Sequence, residues 1–205
     1  MRTRYLVYGV TALLLGSIAL PCLADDAPTG QSAFVSELAR KAILSVTSDT
    51  ISSNDRQQRL SVFLDSDFDM PRIARFVLGR YWKKASESEQ QTFIVVYRDF
   101  MARVYSQRFA RYNGESFRVV GQHKDTEDAS IVLTEMNQPA AGSPLRVEWR
   151  VADNGGYRII DISVAGISMA LAQREEFASY LTQNGGNLSD LISQLQVKII
   201  ALDSR

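Results

Sequence analysis

The sequence predicts an α+β fold, in which helices from both ends of the chain pack against one four-stranded antiparallel sheet. Two observations predict it. Apolar residues recur every three or four positions up to about residue 112 and again from about residue 169, which is typical of helices. Between these segments they alternate with polar residues, most strictly over 145–151, which indicates strands with one buried face.

The helices are predicted from this spacing and from their end residues. Asp69 can cap a helix that opens with Pro71 and stops before Gly79. Ser86 and Glu89 form a capping box at the start of the longest helix, which carries a broad aromatic stripe. The predicted helices cover residues 32–49, 54–64, 70–78, 87–112, 169–184 and 188–200.

The strands are predicted to form a meander. They cover residues 117–122, 131–133, 145–151 and 157–164. The run Asp-Asn-Gly-Gly at 153–156 predicts the last hairpin turn. The charged run 122–128, which contains His123, is interpreted as a hairpin loop.

The composition is that of an ordinary globular protein, with 23 Lys and Arg residues against 23 Asp and Glu residues, and 45% apolar residues. It excludes a disordered tail, a collagen-like fibre and a polytopic membrane protein. A neutral chain lacks the basic excess that binds phosphates, so no nucleic-acid partner is expected. One Cys and one His exclude a disulfide framework and a His/Cys zinc site, and no metal or cofactor is expected.

The N-terminus has the layout of a secretory signal peptide. Arg2 and Arg4 precede an uncharged segment that ends at Ala24, where small residues suit a peptidase cut. Residues 1–24 are therefore predicted to be removed, which leaves 25–205 as a single domain. Two alternatives stay open: the segment is long enough for a membrane anchor, and Cys22 could carry a lipid, although Pro21 is unusual before a lipidated cysteine.

The residues that could support catalysis or metal binding have simpler explanations. His123 has no partner nucleophile in the pattern, so a solvated loop histidine is favoured. The acidic run 65–69 resembles the start of a calcium loop, but Met70 stands where that loop needs Gly, and Phe76 where it needs Glu. This run is therefore interpreted as a turn and helix cap.

Asp161 is the one acid inside a strongly apolar strand. It could be the catalytic acid of a small hydrolase or isomerase, because a buried carboxyl group can act as an acid catalyst. An ion pair with Arg150 or Arg158 is favoured instead. Asn187 begins a glycosylation sequon, but capping of the last helix explains it better.

The longest helix and the last long strand carry apolar residues on more than one face. From periodicity alone, a plain core is favoured, because aromatic stripes are usually buried in cores. The alternative is a cavity between the sheet and the helices. A filled core would suit a non-catalytic adaptor, whereas a cavity would suit a binding protein.

Two motifs resemble the MlaC family of periplasmic lipid carriers, also called toluene-tolerance auxiliary proteins. They are FDMPRIARFVLGRYW at 68–82 and DISVAGIS at 161–168. Gln173, Arg174 and Phe177 follow the second motif in the family's order, and Ala165 and Ile167 vary it conservatively. The likeness covers nearly the whole chain after the predicted signal peptide.

Three further stretches are most similar to the hopanoid-associated HpnM branch of that family. They are YNGESF at 112–117, VEWRV at 147–151 and the segment 168–186.

The resemblance implies helices and a curved sheet that enclose an apolar pocket for lipid tails. It also implies a non-catalytic, monomeric carrier in the periplasm. Such a carrier shuttles phospholipid, or a hopanoid, between an outer-membrane lipoprotein complex and an inner-membrane ABC transporter. A net charge near zero suits transient contact with an anionic membrane.

The residues expected to line this pocket share apolar or aromatic side chains. They are Phe76, Tyr81, Phe93, Tyr97, Phe100, Val104, Val132, Val147, Trp149, Ile160, Ile162, Val164 and Met169. Arg72, Arg75 and Arg80 could meet lipid head groups at its mouth, but solvated helix charges are the favoured interpretation.

Overall fold

A computed structural model gives the structure of the protein, and it describes residues 30–46, 51–110, 115–137 and 143–204. The predicted signal peptide at 1–24 lies outside the described residues. Within the described ranges, no helix combines the length and the apolar character of a membrane span.

The predicted helices are all present, and their ends differ by a few residues. They are α1 Gly30–Val46, α2 Ser53–Asp67, α3 Met70–Leu78, α4 Glu87–Phe109, α5 Met169–Gln183 and α6 Leu188–Asp203. A short 3-10 helix, Gly79–Lys84, follows α3 and was not predicted.

The predicted caps are formed by the expected side chains. The Asp69 carboxylate accepts a hydrogen bond from the Arg72 backbone N–H at 3.0 Å. The Ser86 hydroxyl accepts one from the Glu89 N–H at 3.3 Å, and the Glu89 carboxylate accepts one from the Ser86 N–H at 2.9 Å. These bonds satisfy N–H groups that the first turn of a helix leaves unpaired, which is why the chain bends into a helix at these points.

Over the described ranges, the sheet is antiparallel and has five strands in sequence order, so the prediction of four was wrong. The strands are β1 Ser116–Thr126, β2 Ala129–Asn137, β3 Leu145–Asp153, β4 Tyr157–Val164 and β5 Ile167–Ser168. The fifth has two residues, too few for an alternating pattern. It pairs with β4 through a tight turn in which Ala165 and Gly166 both have positive φ, at 50° and 81°.

The interpretation of 122–128 as a loop was also wrong. β1 continues to Thr126, and a tight turn at Glu127 and Asp128 leads into β2. His123 therefore lies in β1 opposite Ile131, with an exposed side chain. The charged residues mimic a loop because β1 lies at the edge of the sheet, where charge is tolerated and discourages further strand pairing.

Register shifts occur within the β1–β2 and β3–β4 pairs. Such irregularities bend strands and increase their twist. Beneath the sheet, a small cluster of buried side chains joins α1 to the strands. It consists of Val35, Leu38, Val132, Val151 and Ile159.

A larger core lies among the helices. Phe93 and Tyr97 of α4 stack at 5.5 Å between ring centroids, and Phe177 of α5 meets both rings edge-on. Leu181 of α5 and Leu195 of α6 complete it, each at most 1% exposed. This core holds α4, α5 and α6 together and leaves the opposite end of α4 facing the sheet.

Candidate functional site

A cavity of about 360 Å³ lies between the helices and the sheet. Its volume falls within the range of small-molecule binding pockets. Its walls come from α1 to α4, the four long strands and the start of α5. The lining residues are Leu38, Ala39, Ala42, Ile43, Leu60, Phe63, Leu64, Phe68, Met70, Ile73, Tyr97, Met101, Ala102, Tyr105, Arg108, Phe109, Glu115, Phe117, Met136, Leu145, Val147, Trp149, Ile160, Asp161, Ile162, Val164, Met169 and Ala170.

The helical wall follows from the aromatic stripe of α4. Tyr97, Met101, Tyr105 and Phe109 recur every four residues and all line the cavity. Residues at this spacing lie on one face of a helix, one turn apart. The C-terminal half of α4 therefore presents large apolar groups to empty space.

The sheet wall follows from strand alternation. Leu145, Val147 and Trp149 lie on one face of β3, and all three line the cavity. The Trp149 indole N–H donates to the Thr134 hydroxyl at 3.0 Å, and that hydroxyl donates to the Val147 carbonyl at 2.8 Å. This chain of bonds fixes the indole, so the wall keeps its shape without a ligand.

Several residues that the sequence predicted for the pocket lie together in these walls. They are Tyr97, Val147, Trp149, Ile160, Ile162, Val164 and Met169. The strand residues among them share a face of their strand, as period-two alternation predicts.

The structure places the other predicted residues elsewhere. Phe93 is fully buried in the helical core, and Val132 is fully buried in the α1–sheet cluster. Phe100 packs on the helical core beneath Lys198, whose ammonium lies 5.9 Å from its ring centroid. Val104 is partly buried outside the cavity lining.

Phe76 and Tyr81 also lie outside the cavity. The Arg174 guanidinium covers the partly exposed Phe76 ring at 5.0 Å. Tyr81 is buried, and its hydroxyl hydrogen-bonds with Thr182 at 3.1 Å and accepts from Arg80 at 3.0 Å. Both were misplaced because an aromatic residue in a helix packs equally well on another helix, and the sequence does not show which neighbour covers it.

The arginines proposed for the mouth do not line the cavity. Arg72 forms an ion pair with Asp128 at 2.8 Å, and Arg75 and Arg80 are exposed on the α3 side of the molecule. The Arg72 side chain, as hydrogen-bond donor, holds the pKa of Asp128 below its ordinary value. Solvated helix charge describes Arg75. Arg72 is instead half-buried in its ion pair, and Arg80 hydrogen-bonds with Tyr81.

The lining cation is instead Arg108, in the last turn of α4. Its side chain is exposed, and its guanidinium lies 5.5 Å from the ring centroid of Tyr105. Glu115 also lines the cavity and is engaged in an interaction of its own. Arg108 therefore places an exposed cation beside the apolar interior.

Asp161 lies in the wall, but the predicted ion pair with Arg150 or Arg158 is wrong. Its carboxylate accepts hydrogen bonds from the N–H groups of Ile162 at 2.8 Å and Ala170 at 3.0 Å, and from the Ser168 hydroxyl at 2.5 Å. Arg150 pairs with Asp125 instead, at 2.8 Å. A carboxylate at the start of α5 is stabilised by the unpaired N–H groups and the helix dipole, which removes the need for a cation.

Two tyrosines, Tyr97 and Tyr105, are also among the lining residues of the cavity. Burial raises the pKa of Tyr97 and of Tyr105, and the charge of Asp161 contributes to both shifts. Both phenols therefore stay protonated near neutral pH. Among the described residues, no group of three or more His, Cys, Asp and Glu side chains could hold a metal ion.

Sequence reasoning missed the wall that α1 and α2 provide. Leu38, Ala42 and Leu60 line the cavity from these two helices. Their apolar spacing identified a buried face but not the surface it meets. The position of a helix over a sheet depends on long-range packing, which local periodicity does not encode.

The fold and the cavity define a class: an α+β protein that holds an apolar chamber between a helical layer and an antiparallel sheet. The family model described as "MlaC protein" matches residues 37–197. The chain belongs to the MlaC family.

Two relatives match over different extents. The "Intermembrane phospholipid transport system binding protein MlaC" of Haemophilus influenzae is 22% identical over 125 residues, which cover 58% of this chain and 57% of that protein. This chain thus spans little more than half the length of that curated relative. A solved structure of a phospholipid-binding protein from Ralstonia solanacearum, in complex with a phospholipid, has a TM-score of 0.72 and 19% identity. The match covers 83% of this chain and 97% of that chain, and it shows a shared fold.

Proposed function

We propose that the protein is a periplasmic lipid carrier that takes up a lipid in the cavity and moves it between the outer and inner membranes. The predicted signal peptide at 1–24 would deliver the domain at 25–205 to the periplasm. The protein would be the monomeric, soluble component of an ABC-type lipid transport system. It would exchange its lipid with an outer-membrane lipoprotein complex and an inner-membrane transporter.

The cavity is the observation that carries this proposal. Each methylene moved from water into an apolar site contributes about 0.8 kcal/mol, so acyl chains need such a chamber to cross an aqueous space. The walls between Leu38 on α1 and Trp149 on β3 offer apolar side chains from every side. Loading and unloading are then close to balanced against a bilayer, and no bond has to be made or broken.

The relatives support the same function. The Haemophilus influenzae protein is named a binding protein of an intermembrane phospholipid transport system, and the Ralstonia solanacearum protein was solved with a phospholipid. The proposed ligand is accordingly a phospholipid. A hopanoid is the alternative that the resemblance to the HpnM branch supports, since both ligands require apolar walls.

The enzymatic alternative receives no support from the geometry of Asp161. Both carboxylate oxygens accept hydrogen bonds, from two backbone N–H groups and a hydroxyl, and these bonds position the start of α5. The adaptor alternative requires a filled core, whereas the space between α4 and the sheet is open. A lipid-binding protein is the function that agrees with both observations.

Native mass spectrometry of protein purified from its host, followed by lipid extraction, tests the proposal. We expect a fraction of the protein to carry the added mass of one lipid, and the extracted species will distinguish phospholipid from hopanoid. Protein that is uniformly empty, and that stays empty after incubation with vesicles of host lipids, would contradict the proposal.

A further inference from the structure

Two tyrosines line the cavity, and the described part of the chain offers their hydroxyl groups no hydrogen-bond partner. Tyr97 and Tyr105 both line it, and no hydrogen bond from the described residues reaches either phenol. Tyr97 is only 1% exposed. Neither phenol oxygen is among the fully buried side-chain atoms without a partner, so each keeps accessible surface that a ligand or a water molecule can reach.

The ring of Tyr97 is held by its aromatic neighbours. Phe93 stacks on its ring at 5.5 Å with an interplanar angle of 10°, and Phe177 meets the ring at 5.6 Å edge-to-face. The ring is therefore fixed by the helical core. A fixed ring holds its hydroxyl in one place, which favours binding of a ligand group that arrives there.

Two of the other polar side chains in the lining are already engaged, and Arg108 is exposed. The Asp161 carboxylate accepts three hydrogen bonds, Glu115 has its own interaction, and the Arg108 guanidinium lies over the ring of Tyr105. Among the described lining residues, the two phenols are therefore the buried donors without a partner that could recognise an oxygen of a ligand.

The charges nearby indicate which kind of oxygen fits. Burial is the main cause of the raised pKa values of both phenols; the negative charge of Asp161 adds to it, whereas the Arg108 cation lowers the pKa of Tyr105. The phenols are therefore protonated donors, and their burial disfavours an unpaired anion beside them. A neutral acceptor such as an ester carbonyl fits this environment, whereas a phosphate fits better beside the exposed Arg108.

We propose that Tyr97 and Tyr105 form a polar subsite within the cavity that donates hydrogen bonds to the ester carbonyl oxygens of an acylated lipid. This inference rests on the proposed carrier function and narrows its ligand to lipids with acyl esters. The apolar walls hold the chains, and the two phenols set how deep the linkage between chains and head group enters.

Two phospholipids with the same head group and chain length test the subsite, one with ester-linked chains and one with ether-linked chains. Loss of two carbonyl acceptors should weaken binding to the natural protein about tenfold. In the double variant Tyr97→Phe/Tyr105→Phe, we expect equal affinity for the two lipids and an unchanged affinity for the ether lipid. Binding is measured by competition with a fluorescent fatty acid.

The matched control is Tyr180→Phe, whose hydroxyl donates to the Asp190 carbonyl at 3.5 Å and does not line the cavity. It should keep the tenfold preference. The subsite alone would be overturned if the double variant kept the preference for the ester-linked lipid. It would also be overturned if the natural protein bound both lipids equally well. A natural protein that binds neither lipid would overturn the carrier function as well.

Unfolding of the empty protein gives a second readout. Since the phenols have no partners in the described part of the chain, their removal should leave the free energy of unfolding unchanged or raise it. A clear loss of stability in Tyr97→Phe would assign the hydroxyl a structural role and contradict the subsite.

Discussion

The two halves of α4 carry the same aromatic stripe but meet different surroundings. At the N-terminal half, Phe93 is fully buried against Phe177 of α5. At the C-terminal half, Met101 and Phe109 face the cavity. The difference arises from what covers each half: Phe177 fills the space over the first, whereas the sheet stands away from the second. Apolar spacing alone thus identifies a buried face without distinguishing a core from a chamber.

Truncating one side chain in the helical core and one in the cavity wall should give the largest difference in the free energy of unfolding. Phe177→Ala removes the ring that touches Phe93 and Tyr97, and we expect it to lower the free energy of unfolding by about 3–5 kcal/mol. Met101→Ala enlarges a space that already exists, so its cost should be about 1 kcal/mol. Urea unfolding of the empty proteins measures both. Equal costs would contradict the distinction between core and chamber.

This comparison also shows what the sequence could predict. The caps at Asp69 and Ser86 and the alternation of β3 are local, so the helices, the long strands and the sheet wall followed from short patterns. The cavity-facing side of α4 was only partly identified. Phe100 was assigned to the pocket and Tyr105 was not, although only the second lines it.

The errors have a common physical cause. The pairing of Arg150 with Asp125 rather than Asp161 depends on how β1 lies beside its neighbours and on the donors at the start of α5. The placement of Leu38 in the wall depends on where α1 crosses the sheet. Both are consequences of tertiary packing between distant segments. The resemblance to the MlaC family supplied the cavity that periodicity did not favour.

Filling the chamber should separate binding from stability. Ala42→Trp on α1 places a large ring in the cavity, and we expect lipid affinity to fall at least tenfold. Leu44→Trp on the same helix changes a side chain that is 67% exposed, so it should bind as the natural protein does. The measurement is displacement of a fluorescent fatty acid, with the thermal midpoint as a check on folding. Undiminished binding by Ala42→Trp would show that the lipid sits elsewhere.

Asp161 lies where the cavity wall meets α5, and its replacement should have the smallest effect. Asp161→Ala leaves the Ala170 N–H and the Ser168 hydroxyl without their acceptor, which should cost about 1 kcal/mol of unfolding free energy. Lipid affinity of the folded protein should change less than twofold. Asp190→Ala is the control, since this exposed acid lies in the first turn of α6.

A loss of lipid binding without a loss of stability in Asp161→Ala would contradict the structural role of this acid. It would make the carboxylate a ligand-binding or reacting group instead.

The chain contains two tryptophans, one in the cavity lining and one outside it. They give the most direct test of whether a lipid occupies the cavity. Trp149 lines the cavity, whereas Trp82 in the 3-10 helix does not. A phospholipid with brominated acyl chains quenches indole fluorescence only at close contact. In Trp82→Phe, the remaining Trp149 should be strongly quenched by the brominated lipid and unaffected by the same lipid without bromine. In Trp149→Phe, the remaining Trp82 should be insensitive to both. Quenching of Trp82 with none of Trp149 would contradict a lipid held between the sheet and α4.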